Sequence, residues 1–283
     1  STLLIGANIL PVLLQIGLYD RFIEQATLHR ATKIGDEGQT PKLIISPQSA
    51  AIMGGYENYI IAQSTFHQLL LSCVPANKIR MGKRVLKTCQ SENGVTLTCS
   101  DNSTYYGHIL VGADGTHSGV RQSLYHRMSI DGRLPPQDQR VPPIKRAWLV
   151  GQTRPMDLDE LDIWMQHDCQ LDMVIGKDRH YSWTTHTTGN GAVCWAVLHC
   201  QSDPPSRSND TFRRTTGRDS EGAETMCRHI RDFSVLQEQS MTHELTLGFL
   251  IDRTPKESLC RIVVEEERVF KTWYDRRIVL LGD

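Results

Sequence analysis

The stretch ILVGADGTHSGVRQSLY, Ile109–Tyr125, decides how this chain is read. An apolar run, Ile109-Leu110-Val111, breaks at Gly112-Ala113-Asp114-Gly115 and resumes as a helix-like segment carrying Arg121. A strand that ends in an acid between two glycines and leads into a helix presents backbone N–H groups and one carboxylate at its C-terminal edge. Open α/β sheets bind ligands at that edge. Glycine lets a ligand come close to the backbone because it has no Cβ. In that setting Asp114 can accept a hydrogen bond from a ribose hydroxyl or hold a water against a pyrophosphate, and Arg121 can offset phosphate charge. An ordinary turn before a salt-bridged helix explains the same residues, and this stretch alone does not separate the two readings.

A second stretch repeats the design. RIVLLGD, Arg277–Asp283, is a basic residue, an apolar strand, a glycine and an aspartate, with its acid 169 residues after Asp114. Two such strand ends in one chain favour the ligand-binding reading over that of an ordinary turn.

Bulk properties narrow the class. The 283 residues are 39% hydrophobic and 22% charged, with a net charge of −1. That balance suits a globular protein and offers no electrostatic case for nucleic acid or an anionic membrane. No apolar run approaches the roughly 20 residues of a transmembrane helix, and the N-terminus lacks the basic-then-apolar order of a signal peptide. The eight cysteines form no C-x-x-C and no zinc spacing, so they read as reduced, mostly buried thiols of a cytoplasmic protein. Membrane association of a longer form stays open. The chain starts without Met and stops on a strand-to-turn junction, so it is expected to be an internal piece of a longer protein.

Along the chain, Asn8 is expected to cap a helix over 9–25, with Pro11 in its first turn. Residues 35–55 read as loop, and Ser64 caps a short helix over 65–74 that Pro75 ends. A meander follows over 84–90, 95–99 and 104–111, with turns at 92–94 and 101–102, and 117–128 is helical. The proline pairs at 135–136 and 142–143 mark a linker. Strands are then expected over 146–153, 171–176, 181–187 and 193–200, the last two joined by the hairpin turn Gly189-Asn190-Gly191. Residues 203–220 are a polar surface loop, 221–236 a helix, and 261–270 and 277–281 strands. The fold class is α+β: residues 1–140 form one domain, 141–260 a β-rich sheet with helices, and 261–283 a return strand to the first domain.

Other chemistries find little support. The eleven histidines show no H-x-x-x-H on a convincing helix, and no G-x-S-x-G occurs. Trp183 and Trp195 alternate with polar residues and line either a pocket or the core.

Ile109–Arg121 resembles the DG motif, and Arg277–Asp283 the first half of the GD motif, of the FAD-dependent aromatic-hydroxylase-type (group A) flavin monooxygenases. IGANILPVLLQIGLYD (5–20), GKRVL (82–86) and RVFKTWYDRRIVLLGD (268–283) are similar to the fungal branch that epoxidises or hydroxylates terpenoid and indole-terpenoid intermediates. The resemblance implies an α/β FAD-binding fold, incomplete here, with a β-rich substrate sheet. It also implies a flavin reduced by NAD(P)H that transfers one oxygen atom to a hydrophobic small molecule, terpenoid or aromatic. Such chemistry belongs to the cofactor, which accounts for the lack of a visible acid/base pair.

By the same resemblance, Asp283 bonds the ribityl chain or pyrophosphate side of FAD, and Gly282 gives backbone access. Asp114 and Gly115 contact FAD and the approaching NAD(P)H, and Arg121 supports that turn. Tyr181, in HYSWTTHTT, takes the place of a substrate-facing tyrosine with an acid role; packing in a strand is its plainer reading.

Three features depart from the family pattern. The G-x-G-x-x-G loop and its ribose-binding acid are absent, Gln63 in Ala62-Gln63-Ser64-Thr65-Phe66 stands where the family has an arginine, and no helix follows the GD motif. Those departures leave a rival reading, a catalytically inactive remnant or small-molecule-binding module without a working flavin site.

Overall fold

Along Tyr181–Thr187 the bulky or buried residues fall on odd positions and the partly exposed ones on even positions, which is the period of a strand with one covered face. This pattern seeds the larger of two compact units in the computed structural model. The described residues are 2–37, 41–46, 52, 54–115, 117–139, 144–156, 170–177, 180–188, 191–200, 220–235, 246–265 and 269–282. One unit joins Ser1–Val74 to Ile144–Glu265, and the other joins Pro75–Pro143 to Glu266–Asp283.

The first unit begins with β1 (Thr2–Ile5), α1 (Leu10–Gln15), α2 (Tyr19–Ile23), β2 (Thr27–Leu28), β3 (Ala31–Asp36), β4 (Leu43–Ile45), β5 (Tyr59–Ala62) and α3 (Gln63–Leu71). The second unit holds β6 (Val85–Gln90), β7 (Val95–Cys99), β8 (Thr104–Gly107), β9 (Leu110–Gly112), α4 (Gly119–Ile130) and α5 (Pro136–Gln139). The chain then returns to the first unit as β10 (Ile144–Gln152), β11 (Gln170–Ile175), β12 (Tyr181–Thr187), β13 (Val193–Cys200), α6 (Ser220–Ile230), α7 (Leu247–Asp252) and β14 (Cys260–Glu265). It ends in the second unit with β15 (Tyr274–Asp275) and β16 (Ile278–Leu280).

In the first unit a seven-stranded sheet runs β14-β10-β13-β12-β11-β3-β4, and a smaller sheet runs β1-β5-β2. One face of the large sheet packs on α6 and α7 through Leu149, Trp183, Trp195, Val197, Ile230 and Leu250. Trp183 and Trp195 are core on this face, and their indole N–H groups donate to the Ser234 carbonyl at 3.1 Å and Thr254 Oγ1 at 2.9 Å. A second core, with Leu10, Leu13, Phe22 and Ile61, holds the short helices on the small sheet.

Two local readings change. The helix expected over 9–25 is two helices. Gly17, at φ +70°, ends α1 with Gly17 N–H on the Leu14 carbonyl and Leu18 N–H on the Leu13 carbonyl, the Schellman pattern that glycine permits. Asn8 does not cap α1, whose N-cap is Ile9. Residues 31–45, read partly as loop, supply β3 and β4. β3 pairs in parallel with β11, Ala31 opposite Gln170 through Asp36 opposite Ile175. That pairing ties the chain's start to the large sheet, so the compact units differ from a division at residues 140 and 260.

The second unit contains the expected meander, β6-β7-β8, and the three-stranded sheet β15-β16-β9. Val95, Val120, Leu124, Met128, Ile278 and Leu280 form its core under α4. The loop expected at 203–220 lies, up to residue 219, outside the described residues, as do Gly189 and Asn190 of the β12–β13 hairpin. The described cysteines are free: Cys99, Cys194 and Cys227 are buried, whereas Cys73 and Cys89 are exposed. No described helix is long and apolar enough to cross a membrane.

Candidate functional site

The two glycine–acid stretches are neighbours in space. β9 and β16 pair in parallel, with Leu110 opposite Ile278 and Gly112 opposite Leu280. Leu110 N–H donates to the Arg277 carbonyl at 2.8 Å and Leu281 N–H to the Gly112 carbonyl at 2.9 Å. The turn at 112–115 and Gly282 therefore leave the same edge of the sheet, the C-terminal edge of a parallel pair. Gly112 packs too closely for a side chain: an added Cβ would lie 2.8 Å from Val120 Cγ1. Gly115 (φ +75°) and Gly282 (φ +93°) are the opposite case, with no atom within 4 Å of an added Cβ. Their left-handed backbone faces open space. Asp283 lies outside the described residues.

Asp114 is occupied by the helix that follows it. Ser118 Oγ donates to Asp114 Oδ1, while Gly119 N–H and Val120 N–H donate to Oδ2 at 2.8 and 3.2 Å. Ser118 is the N-cap of α4 and accepts from Arg121 N–H at 2.9 Å. These bonds take up donors that the first turn of a helix leaves without intrahelical partners. Asp114 thus aims the N-terminus of α4, whose partial positive charge suits an anion. The Arg121 guanidinium lies 4.8 Å from the centre of the Phe270 ring. A small cleft here is lined by Gly112, Gly115, Ser118, Arg121, Phe270 and Leu281, among others.

The cleft's far wall is held by side-chain-to-backbone bonds. Buried Asp138 accepts Lys271 N–H at 3.0 Å and Thr272 N–H at 2.8 Å. Tyr125 Oη donates to the Thr272 carbonyl at 2.8 Å. Arg277 donates to the carbonyls of His108 (3.1 Å) and Glu92, which fastens the start of β16 to the meander side. Arg133 bonds Asp275 at 2.9 Å, and that hydrogen bond holds the Asp275 carboxyl below its ordinary value.

The first unit carries a separate cavity of about 210 Å³. Its floor is the large-sheet face opposite α6 and α7, with Val150, Leu171, Thr184, His186, Cys194 and Ala196; Thr2, Leu4 and Ile60 of the small sheet close it. His186 Nε2 is hydrogen-bonded to Thr2 Oγ1. Burial, then the neighbouring His29, push the His186 ring down to about 4, so it is uncharged near neutral pH. Burial also raises the Cys194 thiol.

Tyr181 does not line this cavity. It stacks on His199 at 4.4 Å between ring centres and meets Phe233 edge-on at 5.3 Å, on the face covered by α6. The reason is the strand period: positions 181 and 186 differ by an odd number and must point to opposite faces. His186 was missed, although the alternation around buried Trp183 could have assigned it and Thr184 to the other face. Asp114, Gly115, Arg121 and Gly282 come together in the second unit. Gln63 lies in the first unit as the opening residue of α3 and is exposed.

No family model matches the chain. It is similar in sequence to the FAD-dependent monooxygenase paxM of Penicillium paxilli, 27% identical over 299 residues covering 99% of this chain and 56% of that protein. It is likewise similar to the FAD-dependent monooxygenase ptmM of Penicillium ochrochloron, 27% identical over 209 residues, or 73% of this chain and 44% of that protein. The chain spans about half the length of these relatives. Among solved structures, Klebsiella pneumoniae HpxO complexed with FAD and uric acid superposes with a TM-score of 0.71 at 15% identity, covering 100% of this chain and 63% of that one. A salicylate hydroxylase substrate complex gives 0.69 at 15% identity, covering 100% of this chain and 65% of that one. The fold is therefore the α+β fold of the FAD-binding aromatic hydroxylases. Within it, the similarity in sequence runs to fungal FAD-dependent monooxygenases.

Proposed function

We propose that this chain is part of a FAD-dependent monooxygenase that takes electrons from NAD(P)H and adds one oxygen atom to a small, largely apolar molecule. The observation that carries this reading is the parallel β9–β16 pair, which brings two glycine turns from distant parts of the sequence to one sheet edge. The residues there fit a dinucleotide: open backbone at Gly115 and Gly282, a 12-residue helix pointing its N-terminus to the same edge, and a guanidinium beside it. Gly115, Gly282, Arg121 and the N-terminus of α4 would hold the cofactor, and Asp283 would add its carboxylate. When bound and reduced, FAD supplies the oxygen transfer itself. Asp114 keeps the α4 N-terminus in place, and the apolar cavity of the first unit excludes water and orients the substrate. Gln63 takes the position of the family's arginine and offers hydrogen bonds without charge.

Purification of the full-length protein tests this. A yellow protein with a flavin absorption band, which oxidises NAD(P)H, is expected. Gly115→Ala and Gly282→Ala should each cost about 1–2 kcal/mol, the strain of a left-handed L residue, and lose flavin, because a side chain enters the open space at these turns. Gln63→Arg should tighten FAD by about tenfold, the effect of one charge-assisted contact. A colourless protein that takes up no added FAD overturns the reading in favour of a binding module.

A further inference from the structure

The cavity of the first unit is apolar but has one polar corner. Leu4, Ile60, Val150, Leu171 and Ala196 supply hydrocarbon, and no Lys, Arg, Asp or Glu is among the described residues lining it. The polar corner is His186, which meets the Thr2 hydroxyl of the facing small sheet, with Thr184 two residues along on the same strand face. We infer that His186 determines specificity in this cavity by hydrogen-bonding one hydroxyl or carbonyl oxygen of an otherwise apolar, uncharged substrate. This rests on the reading of the cavity as the substrate site of the monooxygenase.

Two arguments support it. The imidazole presents one donor and one acceptor, and Thr2 Oγ1, which also bonds Cys194, engages only Nε2, so the second ring nitrogen can serve a ligand oxygen. Burial and the nearby buried His29 disfavour a positive ring, so nothing among these lining residues compensates a carboxylate that has lost its water. A hydroxyl exchanges its water for the histidine at little cost, whereas a pure hydrocarbon leaves the ring without a ligand partner.

Three probes of similar shape test this on the full-length protein by equilibrium dialysis: phenylcyclohexane, 4-phenylcyclohexanol and 4-phenylcyclohexanecarboxylate. The wild type should bind the alcohol about tenfold more tightly than the hydrocarbon and the carboxylate most weakly. His186→Leu should erase the alcohol preference, and His186→Gln, which keeps a donor and an acceptor, should restore part of it. Should the leucine variant fail to fold, His186→Phe carries the same comparison with a ring retained. An alcohol preference unchanged in His186→Leu or His186→Phe overturns the inference. So does a carboxylate that binds as tightly as the alcohol, or a wild type that binds none of the probes. Flavin content is measured in parallel: a colourless wild type that keeps the histidine-dependent alcohol preference overturns the flavin reading alone.

Discussion

The glycine turns at Gly115 and Gly282 and the cavity around His186 are built from different materials. At the turns, the shape comes from backbone geometry, glycines that keep space open, and a helix N-terminus braced by Asp114 and Ser118. In the cavity it comes from side chains that alternate along β12 and β13, where a change of one position moves a residue to the opposite face. The first arrangement is specific about main-chain shape and tolerant of what lies around it. The second is specific about side-chain identity. The proposed function would place the cofactor at the first and the substrate at the second.

Substitutions can break this comparison, the most damaging one first. Gly119→Ala places a Cβ 2.1 Å from the Val85 backbone carbonyl oxygen, which cannot rotate away. A loss of about 3 kcal/mol is expected in denaturant unfolding; a loss below about 1 kcal/mol would mean that α4 shifts freely and that the edge is not rigid. On the sheet side, Gly151→Ala puts its Cβ 2.4 Å from the Trp195 indole, and about 2 kcal/mol should be lost as the ring is displaced. Gly151 and Trp195 also border the cavity, which should then lose probe affinity while flavin content holds.

Asp114→Ala removes the brace of α4 and should cost about 1–2 kcal/mol. It should also weaken FAD, whereas Asp114→Asn, which still accepts from the helix N–H groups, keeps most of both. If Asp114→Ala lowers flavin affinity with no change in unfolding, the carboxylate acts on the cofactor directly and not through the helix.

The acid limb is a smaller effect. The Arg133 hydrogen bond lowers the Asp275 carboxyl below 3.8, so this contact stabilises above the unfolded pKa and is lost as pH falls through the folded one. Arg133→Gln should therefore reduce stability at neutral pH slightly and flatten its decline below about pH 4, the ordinary carboxyl range. An acid transition identical to the wild type would remove Asp275 from the set of native-state carboxylates that matter. The smallest effect is Tyr181→Phe, which keeps the stack on His199 and should change stability by less than about 0.5 kcal/mol and probe binding not at all. A loss of turnover in Tyr181→Phe with folding intact would return this residue to the substrate site.

Much of the fold was legible in the sequence because its signals are local. The strand bounds at 95–99, 181–187 and 193–200 follow from residue patterning and the turn residues between them, and the helix read over 117–128 falls within two residues of α4. Gly17 in the expected 9–25 helix was a visible break whose weight depended on the apolar contact of Leu18 with the core, which is tertiary. Residues 31–45 carry a weak strand signal of their own, and pairing with β11 gives them their partner.

The sequence by itself determined that two strands end in glycine and acid, since the residues that allow a left-handed turn and cap a helix must sit within a few positions of one another. It also determined the resemblance that the comparisons with known proteins bear out. Only the tertiary structure decided that β9 and β16 stand side by side, because strands whose acids are 169 residues apart pair through a sheet that no local preference specifies. It likewise decided that His186 faces the cavity and Tyr181 the helices. Alternation along a strand says which residues share a face, but which face is covered by helices depends on packing contributed by distant parts of the chain.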